Sequence, residues 1–456
     1  MQTLREPAGH AMNHATPMSP ESPPLQELGT FPWWKRTAAW IAAWGLVAGV
    51  GLTLPIAWIL SWFLRRRRNA TPPGASRVVV TGMFASDGWV AAHIRPISLA
   101  RGCGHVWVVT DRPWLELPHV TYACPPKRLQ RYAGGNLARA FWLFLTVLHT
   151  RPHVVGGFHL LPNALFALLG ARLVKAKAVY FCVGGWTEIW GGGARSENRL
   201  FRLLGKDRPM LQRALLALVN RVDLILTMGH RARRFLSEQG VTCAIEVMSG
   251  GIDARQFAAV SRPIAPEYDL LFVGRLVRIK RLDVLLQIAA RVGKARPNLR
   301  VAIVGDGPLR DELARLTREL GLEQKVFFAG HQDRICEWLQ RTRLFVLTSD
   351  SEGLPLSVLE AMMAGVPCVV SDVGDLADAI LNGKNGWRVP RRDPDAFAEA
   401  ILALLTDENL YSTCRSAARQ AAMNYTVETM SEHWDRILDT WPSRQAIRAP
   451  VGFMAG

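Results

Sequence analysis

From Arg77 onward the chain alternates short, near-continuous apolar runs with longer segments of helical periodicity, and it does so in two successive series. The first series is "RVVVTGMF", "HVWVVTD", "HVVGGFH", "AVYFCV", "DLILTM" and "IEVMS". The second is "YDLLFVG", "RVAIVG", "KVFFAG", "LFVLTS" and "PCVVSD". Strands that are apolar throughout, rather than every second residue, have both faces covered, and helices between them supply the cover. The expected fold class is therefore α/β, with two doubly wound parallel sheets. "SRPIAPE" reads as the linker between them. In such sheets ligands bind beyond the carboxyl ends of the strands, so the loops that follow the apolar runs are the places to look for chemistry.

Ahead of the first strand lies a different kind of segment. No charged residue interrupts "TAAWIAAWGLVAGVGLTLPIAWILSWFL", Thr37 to Leu64, and about 20 apolar residues suffice to span a bilayer. Trp33, Trp34, Trp58 and Trp62 near its ends suit the two interfacial belts. Lys35 and Arg36 precede the run, and Arg65, Arg66, Arg67 and Arg68 follow it. The heavier positive flank stays cytoplasmic, which makes the expected location a single pass through the inner membrane with the large C-terminal part facing the cytoplasm. A hairpin bending at Pro55 is the alternative topology.

The expected organisation is a disordered segment over 1–36, a transmembrane helix over 37–64 and a basic linker over 65–76. A Rossmann-like acceptor domain follows over 77–262, then a Rossmann-like donor domain over 263–430 and a C-terminal helix and tail over 431–456. A net charge of +17 calls for an anionic partner. The chain has no zinc-finger spacing and no basic helix with heptads, so phosphorylated ligands and membrane lipids are expected and nucleic acid is not. The seven cysteines include no C-x-x-C pair, which indicates neither a zinc site nor a disulfide framework.

Three loops carry candidate chemistry. "LLFVGRLVRIKRLDVLL" sets Gly274 and Arg275 at a strand end and Lys280 just before a helix. Glycine lets backbone approach a ligand, and the two cations suit phosphate oxygens; a solvated basic loop is the plainer reading. "VGDGPLRDEL" closes the next strand with Gly305 and Gly307, which a tight turn explains equally well. "TSDSEGLPLSVLEAMMAG" holds Glu352 before a turn and Glu360 inside the helix that Pro355 opens. The N-terminus of that helix offers free N–H groups and a positive dipole to a diphosphate. Glu360 is placed to accept the hydroxyls of a ribose, as acidic residues do in other nucleotide folds, and Glu352 those of a sugar. Otherwise Glu352 is a solvated loop residue and Glu360 an ordinary helix-surface residue.

Gly274-Arg275-Leu276, Lys280, Glu352 and Glu360 in this order resemble the retaining glycosyltransferases of family 4 (glycosyl transferases group 1), which have the GT-B fold of two facing Rossmann-like domains. The resemblance runs from Arg77 to about Trp441 and includes "ASDGWVAAHIRPISLARGCGHVWVVT", "GGIDARQF" and "VGDLADAILNGKNGWRV". It implies that Arg275 and Lys280 hold the diphosphate of a nucleotide-sugar, UDP- or GDP-linked, and offset charge on the departing nucleotide. It implies further that Glu360 holds the ribose and Glu352 the transferred sugar, with the Gly353–Leu354 backbone near the sugar–phosphate linkage. No cofactor and no metal is implied. Three positions depart from the family pattern. Gly184 and Gly185 stand where a histidine–glycine pair is usual, which leaves Glu188 and His159 as substitutes or as structural residues. Gly250 replaces an asparagine, and Asp375 replaces a second glycine after Gly374.

The expected function is transfer of a sugar from a nucleotide-sugar to a lipid-linked or other glycan acceptor in cell-surface or exopolysaccharide biosynthesis. The basic, apolar segments "KRLQRYAGGNLARAFWLFLTVLHTR" and "NRLFRLLGKDRPMLQRALLALVNRV" read as helices covering the first sheet or as faces lying on the membrane. The alternatives on the same fold are a nucleotide-sugar 2-epimerase and a non-catalytic nucleotide-sugar-binding subunit of a polysaccharide synthase.

Overall fold

The computed structural model describes residues 33–63, 75–193, 203–204, 206–257 and 265–441. The segment expected to be disordered (as far as residue 32), most of the basic linker, most of the linker between the two series and the tail after Trp441 lie outside them.

Each apolar run of the first series forms a strand, and each intervening segment returns the chain for the next one in parallel. The strands are β1 (Ser76–Thr81), β2 (Cys103–Val109), β3 (Val120–Ala123), β4 (Val154–Phe158), β5 (Lys177–Cys182), β6 (Leu224–Thr227) and β7 (Ala244–Val247). They lie in the order β3-β2-β1-β4-β5-β6-β7, all parallel. Successive side chains enter different cores. Val79, Val155 and Tyr180 pack on one face, and Val78, Val80, Val154 and Phe181 on the other.

The helices before and within this half are α1 (Trp33–Phe63), α2 (Asp87–Leu99), α3 (Lys127–Ala133), α4 (Gly135–Thr150), α5 (Leu165–Val174), α6 (Pro209–Val219) and α7 (His230–Glu238). Both basic, apolar segments of the sequence supply covering helices: α4 buries Leu143 and Val147 and α6 buries Leu211 and Leu215. Yet α4 also leaves Leu137, Phe141 and Leu145 exposed along one stripe.

Helix α1 begins at Trp33, so Lys35 and Arg36 lie in its first turn rather than ahead of it. Among the described residues, Lys35–Pro55 is long and apolar enough to cross a membrane. The helix also packs along α5 and touches α6. Ala39, Ala43, Val47, Val50 and Leu54 are buried on that side, while Trp40, Ile41 and Leu52 are exposed.

The second sheet contains β8 (Tyr268–Val273), β9 (Val301–Val304), β10 (Val326–Gly330), β11 (Thr342–Leu347), β12 (Cys368–Ser371) and β13 (Gly386–Val389), in the order β10-β9-β8-β11-β12-β13. The helices of this part are α8 (Leu282–Ala295), α9 (Arg310–Glu319), α10 (Ile335–Gln340), α11 (Leu356–Met363), α12 (Pro394–Thr406), α13 (Glu408–Ala422) and α14 (Val427–Thr440). The sheet order reverses between β1 and β4 in the first sheet and between β8 and β11 in the second. A strand order that reverses in this way opens a crevice at the carboxyl ends.

The two halves exchange chain twice, and the crossings run side by side. Ile252 donates N–H to Tyr425 O (2.8 Å), and Val427 donates to Ile252 O (3.0 Å). From there α14 leaves the second half and packs on α2 of the first. Asp435 accepts from Gly102 N–H (3.0 Å) and Arg101 Nε (3.1 Å), and Ser431 Oγ donates to Pro96 O (3.0 Å). Trp434 is 1% exposed and its ring lies 5.9 Å from that of Phe181. Trp434→Ala should therefore destabilise the first half by about 3–5 kcal/mol through the cavity it leaves. Denaturant unfolding followed by circular dichroism would read this as a lower midpoint, and an unchanged midpoint would mean that α14 is not part of that core.

Candidate active site

The loops after β8 and β11 flank the crevice of the second sheet, and hydrogen bonds hold them to each other. After Val273 the chain turns through Gly274-Arg275-Leu276, makes one short helical turn at Arg278–Lys280, and passes Arg281 with φ of 49° into α8. Thr348 Oγ1 donates to the carbonyls of Lys280 (3.0 Å) and Arg281 (2.9 Å). Asp350 N–H donates to Ile279 O (2.8 Å). The Asp350 carboxylate, 6% exposed, receives the Arg392 guanidinium at 2.8 and 2.7 Å, with Arg281 Nη1 at 3.6 Å. Such two-pronged arginine–carboxylate pairs fix geometry as well as charge.

That frame brings Lys280 Nζ to 2.6 Å from Glu352 Oε1. Both side chains are largely buried, at 15% and 10% exposure. Residues 72 positions apart in sequence thus meet as an ion pair at the reversal point of the sheet. Arg275 is exposed on the turn between β8 and Lys280.

The glycines of the first two loops serve the close approach of backbones. A Cβ on Gly305, whose φ is +135°, would fall 1.9 Å from Gly274 O, and one on Gly307 would fall 2.5 Å from Leu276 O. Gly274 N–H donates to Val304 O (2.9 Å), and Leu276 N–H to Asp306 O (2.9 Å). In this structure Gly305 and Gly307 shape the turn that carries Gly274 and Arg275.

Pro355 is the N-cap residue of α11, and Leu354 beneath it is buried. Glu360 lies on the second turn of that helix. Among the described residues no hydrogen-bond donor reaches its carboxylate, and burial pushes its carboxyl up to about 7. A partly buried carboxylate with no protein donor keeps room for a hydrogen bond from outside the protein.

Across the crevice stands the loop after β5. A Cβ on Gly353 would fall 2.5 Å from Val183 O, and one on Gly185 would fall 4.0 Å from Glu352 O. The histidine-free 180s loop therefore abuts the Glu352–Gly353 backbone. Glu188 does not enter the crevice. It is buried, and accepts from Leu160 N–H (2.5 Å), Gly184 N–H (2.6 Å) and Tyr180 Oη (2.9 Å), with His159 Nδ1 at 3.0 Å. Burial alone would raise its carboxyl, but His159 and the two amides outweigh this and hold it below the usual range. Its geometry is that of a pin joining the β4 and β5 loops. His159, 41% exposed by side chain and with φ of 63°, is held beside it.

Sequence reasoning missed the residues that fix the pair, Thr348, Asp350 and Arg392. The only signal was the run Thr348-Ser349-Asp350-Ser351 after an apolar strand, which reads equally well as an ordinary polar turn.

Residues 255–421 match the family described as Glycosyl transferases group 1. An exopolysaccharide phosphotransferase of Streptomyces coelicolor is 29% identical over 252 residues, 53% of this chain and 25% of that protein. A poly(ribitol-phosphate) alpha-N-acetylglucosaminyltransferase of Staphylococcus aureus is 31% identical over 164 residues, 36% of this chain and 33% of that protein. The chain thus spans a quarter to a third of the length of these two curated relatives. The structure of Anabaena HepE in complex with UDP has a TM-score of 0.63 at 18% identity, covering 80% of this chain and 100% of that one. The fold is GT-B.

Because the Glu360 carboxyl sits at about 7, a ligand that donates hydroxyls to its charged form must expel a proton at pH 6.5. Where UDP binds with its ribose on Glu360, calorimetry in buffers of different ionisation enthalpy should show fractional proton release at that pH, fading above pH 8 and absent in Glu360→Gln. The same UDP affinity with no proton release would mean that the ribose does not reach Glu360.

Proposed function

We propose that this chain is a retaining, metal-independent glycosyltransferase that moves a sugar from a UDP- or GDP-linked donor to a lipid-linked glycan at the cytoplasmic face of the inner membrane. One observation carries the reading: the Lys280–Glu352 pair, 2.6 Å apart at the reversal point of the second sheet, with the loop of the first sheet against it. The group 1 match over residues 255–421 covers both residues and supports the same conclusion.

In this reading the donor diphosphate takes Lys280 from Glu352, and Arg275 adds a second cation at the rim. Glu352, released, accepts the vicinal hydroxyls of the sugar, and Glu360 accepts those of the ribose. The bond from the anomeric carbon to the phosphate oxygen breaks, and its electron pair leaves with the diphosphate. Lys280, itself largely buried, stabilises that charge as it develops. The acceptor hydroxyl attacks from the face just vacated and its proton passes to the departing phosphate oxygen, so configuration is kept.

The acceptor assignment draws on α1 and on the two relatives, whose names concern an exopolysaccharide and a poly(ribitol-phosphate). Stable anchoring by α1 predicts that the chain stays with the membrane through alkaline carbonate extraction; release into the wash would remove the anchor from this account.

The central test is transfer of radiolabelled sugar from nucleotide-sugars to lipid extract, with EDTA present. Glu352→Gln should lower kcat by about 100-fold or more while UDP still binds, the size of effect seen when one transition-state contact is lost. Lys280→Ala should weaken UDP binding by about 10- to 100-fold, the scale of a charged hydrogen bond. Full turnover in Glu352→Gln would sink the reading, and turnover that needs no acceptor would point to isomerisation.

A further inference from the structure

The loop after β12 does more than border the crevice. Helix α7 has no cap of its own, because its N-cap residue is Gly229. The second half supplies the cap instead. Asp375 Oδ1 accepts from Arg231 N–H (2.9 Å) and Ala232 N–H (3.1 Å), and Asp378 Oδ2 accepts from His230 N–H (2.6 Å) and lies 3.1 Å from His230 Nδ1. These carboxylates come from residues 143–148 positions away in sequence. The fit depends on Gly229, since a Cβ there would fall 2.3 Å from Asp375 Cβ and 2.4 Å from Asp378 Oδ2. Free N–H groups at a helix start, together with its positive end, favour a negative partner.

The same loop grips the glutamate loop. Asp375 N–H donates to Gly353 O (3.0 Å). Gly374 has φ of +57°, and a Cβ on it would fall 2.1 Å from Glu352 O. Met228, just before the helix, lies against Gly353 as well, with Cγ 3.5 Å from where a Cβ would stand. Any slide of α7 relative to the second half therefore moves the backbone that carries Glu352.

We infer that Asp375 and Asp378 form a latch across the two halves, and that through it Asp375 is a positioning residue for Glu352 and Gly353. The positioning role rests on the function proposed above; the latch itself does not. The polar character of the contact suits a joint that opens. Water replaces each of these hydrogen bonds when the halves part, so the net cost of release is small, as it would not be for an apolar seam. Asp375 Oδ2 is buried without a hydrogen-bond partner, so the residue holds its place at the expense of desolvation. Burial pushes its carboxyl up to about 6, with Asp378 adding to the rise and the amides of Ala232 and Arg231 opposing it.

Hydrogen–deuterium exchange on the full chain in nanodiscs tests both parts. In the double variant Asp375→Ala, Asp378→Ala, the amides of 230–232 should exchange at least tenfold faster, and the amide of residue 375, which donates to Gly353 O, should follow. Asp375→Asn keeps an acceptor oxygen and should restore protection at 231 and 232. In a transfer assay the double variant should lower kcat more than it raises the donor KM, because Lys280 and Glu360 stay in place. Unchanged exchange at 230–232 in the double variant would overturn the latch. Faster exchange there with the amide of residue 375 unmoved would overturn the positioning role. A wild-type chain that transfers no sugar would sink the proposed function and leave the exchange result to decide the latch.

Discussion

A cation and a carboxylate largely removed from water, 2.6 Å apart, need a rigid surround. Each ion has lost several kcal/mol of hydration, and their attraction repays this only when geometry and further hydrogen bonds are good. The Lys280–Glu352 pair meets that condition through its neighbours. Thr348 ties down the carbonyls of Lys280 and Arg281, and Asp350 links the two loops through its own N–H to Ile279 O and through Arg281, while Arg392 beyond β13 holds its carboxylate. In the proposed function such a pair is replaceable, because a donor diphosphate would offer Lys280 negative charge as Glu352 does. The surround stays fixed while the partner changes, which is what a binding site for a charged ligand requires.

The two halves meet at that site through close backbone contacts, with Met228 of the first half packed into the core of the second. Gly353 lies against Val183, Gly374 against Glu352, and the Asp375–Asp378 loop against the start of α7. Apolar contact between the halves is concentrated elsewhere, where α14 crosses back and buries Trp434 against the first sheet. The division makes mechanical sense. The bridge between Ile252 and Thr426 and the buried face of α14 hold the halves together, while the polar joint next to the crevice can exchange with water.

Much of this was legible in the sequence, and the exceptions share causes. Eleven apolar runs were read as strands and each became one; the inner ones are covered on both faces and so are apolar throughout, while β7 and β10 lie at sheet edges. The two strands that were not read, β3 and β13, are edge strands of four residues whose sides are only partly covered, so Thr121 and Arg388 break the apolar pattern. Lys280, Glu352 and Glu360 stood out because carboxylates and cations at strand ends are conspicuous against an apolar background. Asp350, Arg392, Asp375 and Asp378 did not, since a polar residue in a loop looks the same whether water or a distant partner satisfies it. Glu188 shows the converse: it was weighed for the crevice, and four local hydrogen-bonding partners claim it instead.

By itself, then, the sequence determined the class of fold, the end of each sheet from which the candidate loops emerge and the residue types available there, because apolar periodicity and the direction of parallel strands are local and short-range properties. Tertiary structure alone decided which of those residues meet. Lys280 reaches Glu352 across 72 positions and Asp375 reaches Arg231 across 144, and contacts at such separations depend on how two sheets are stacked and joined. The departure of Asp375 from the pattern the sequence resembles became intelligible for the same reason: its partner is a helix start in the other half of the molecule, and only folding brings the two together.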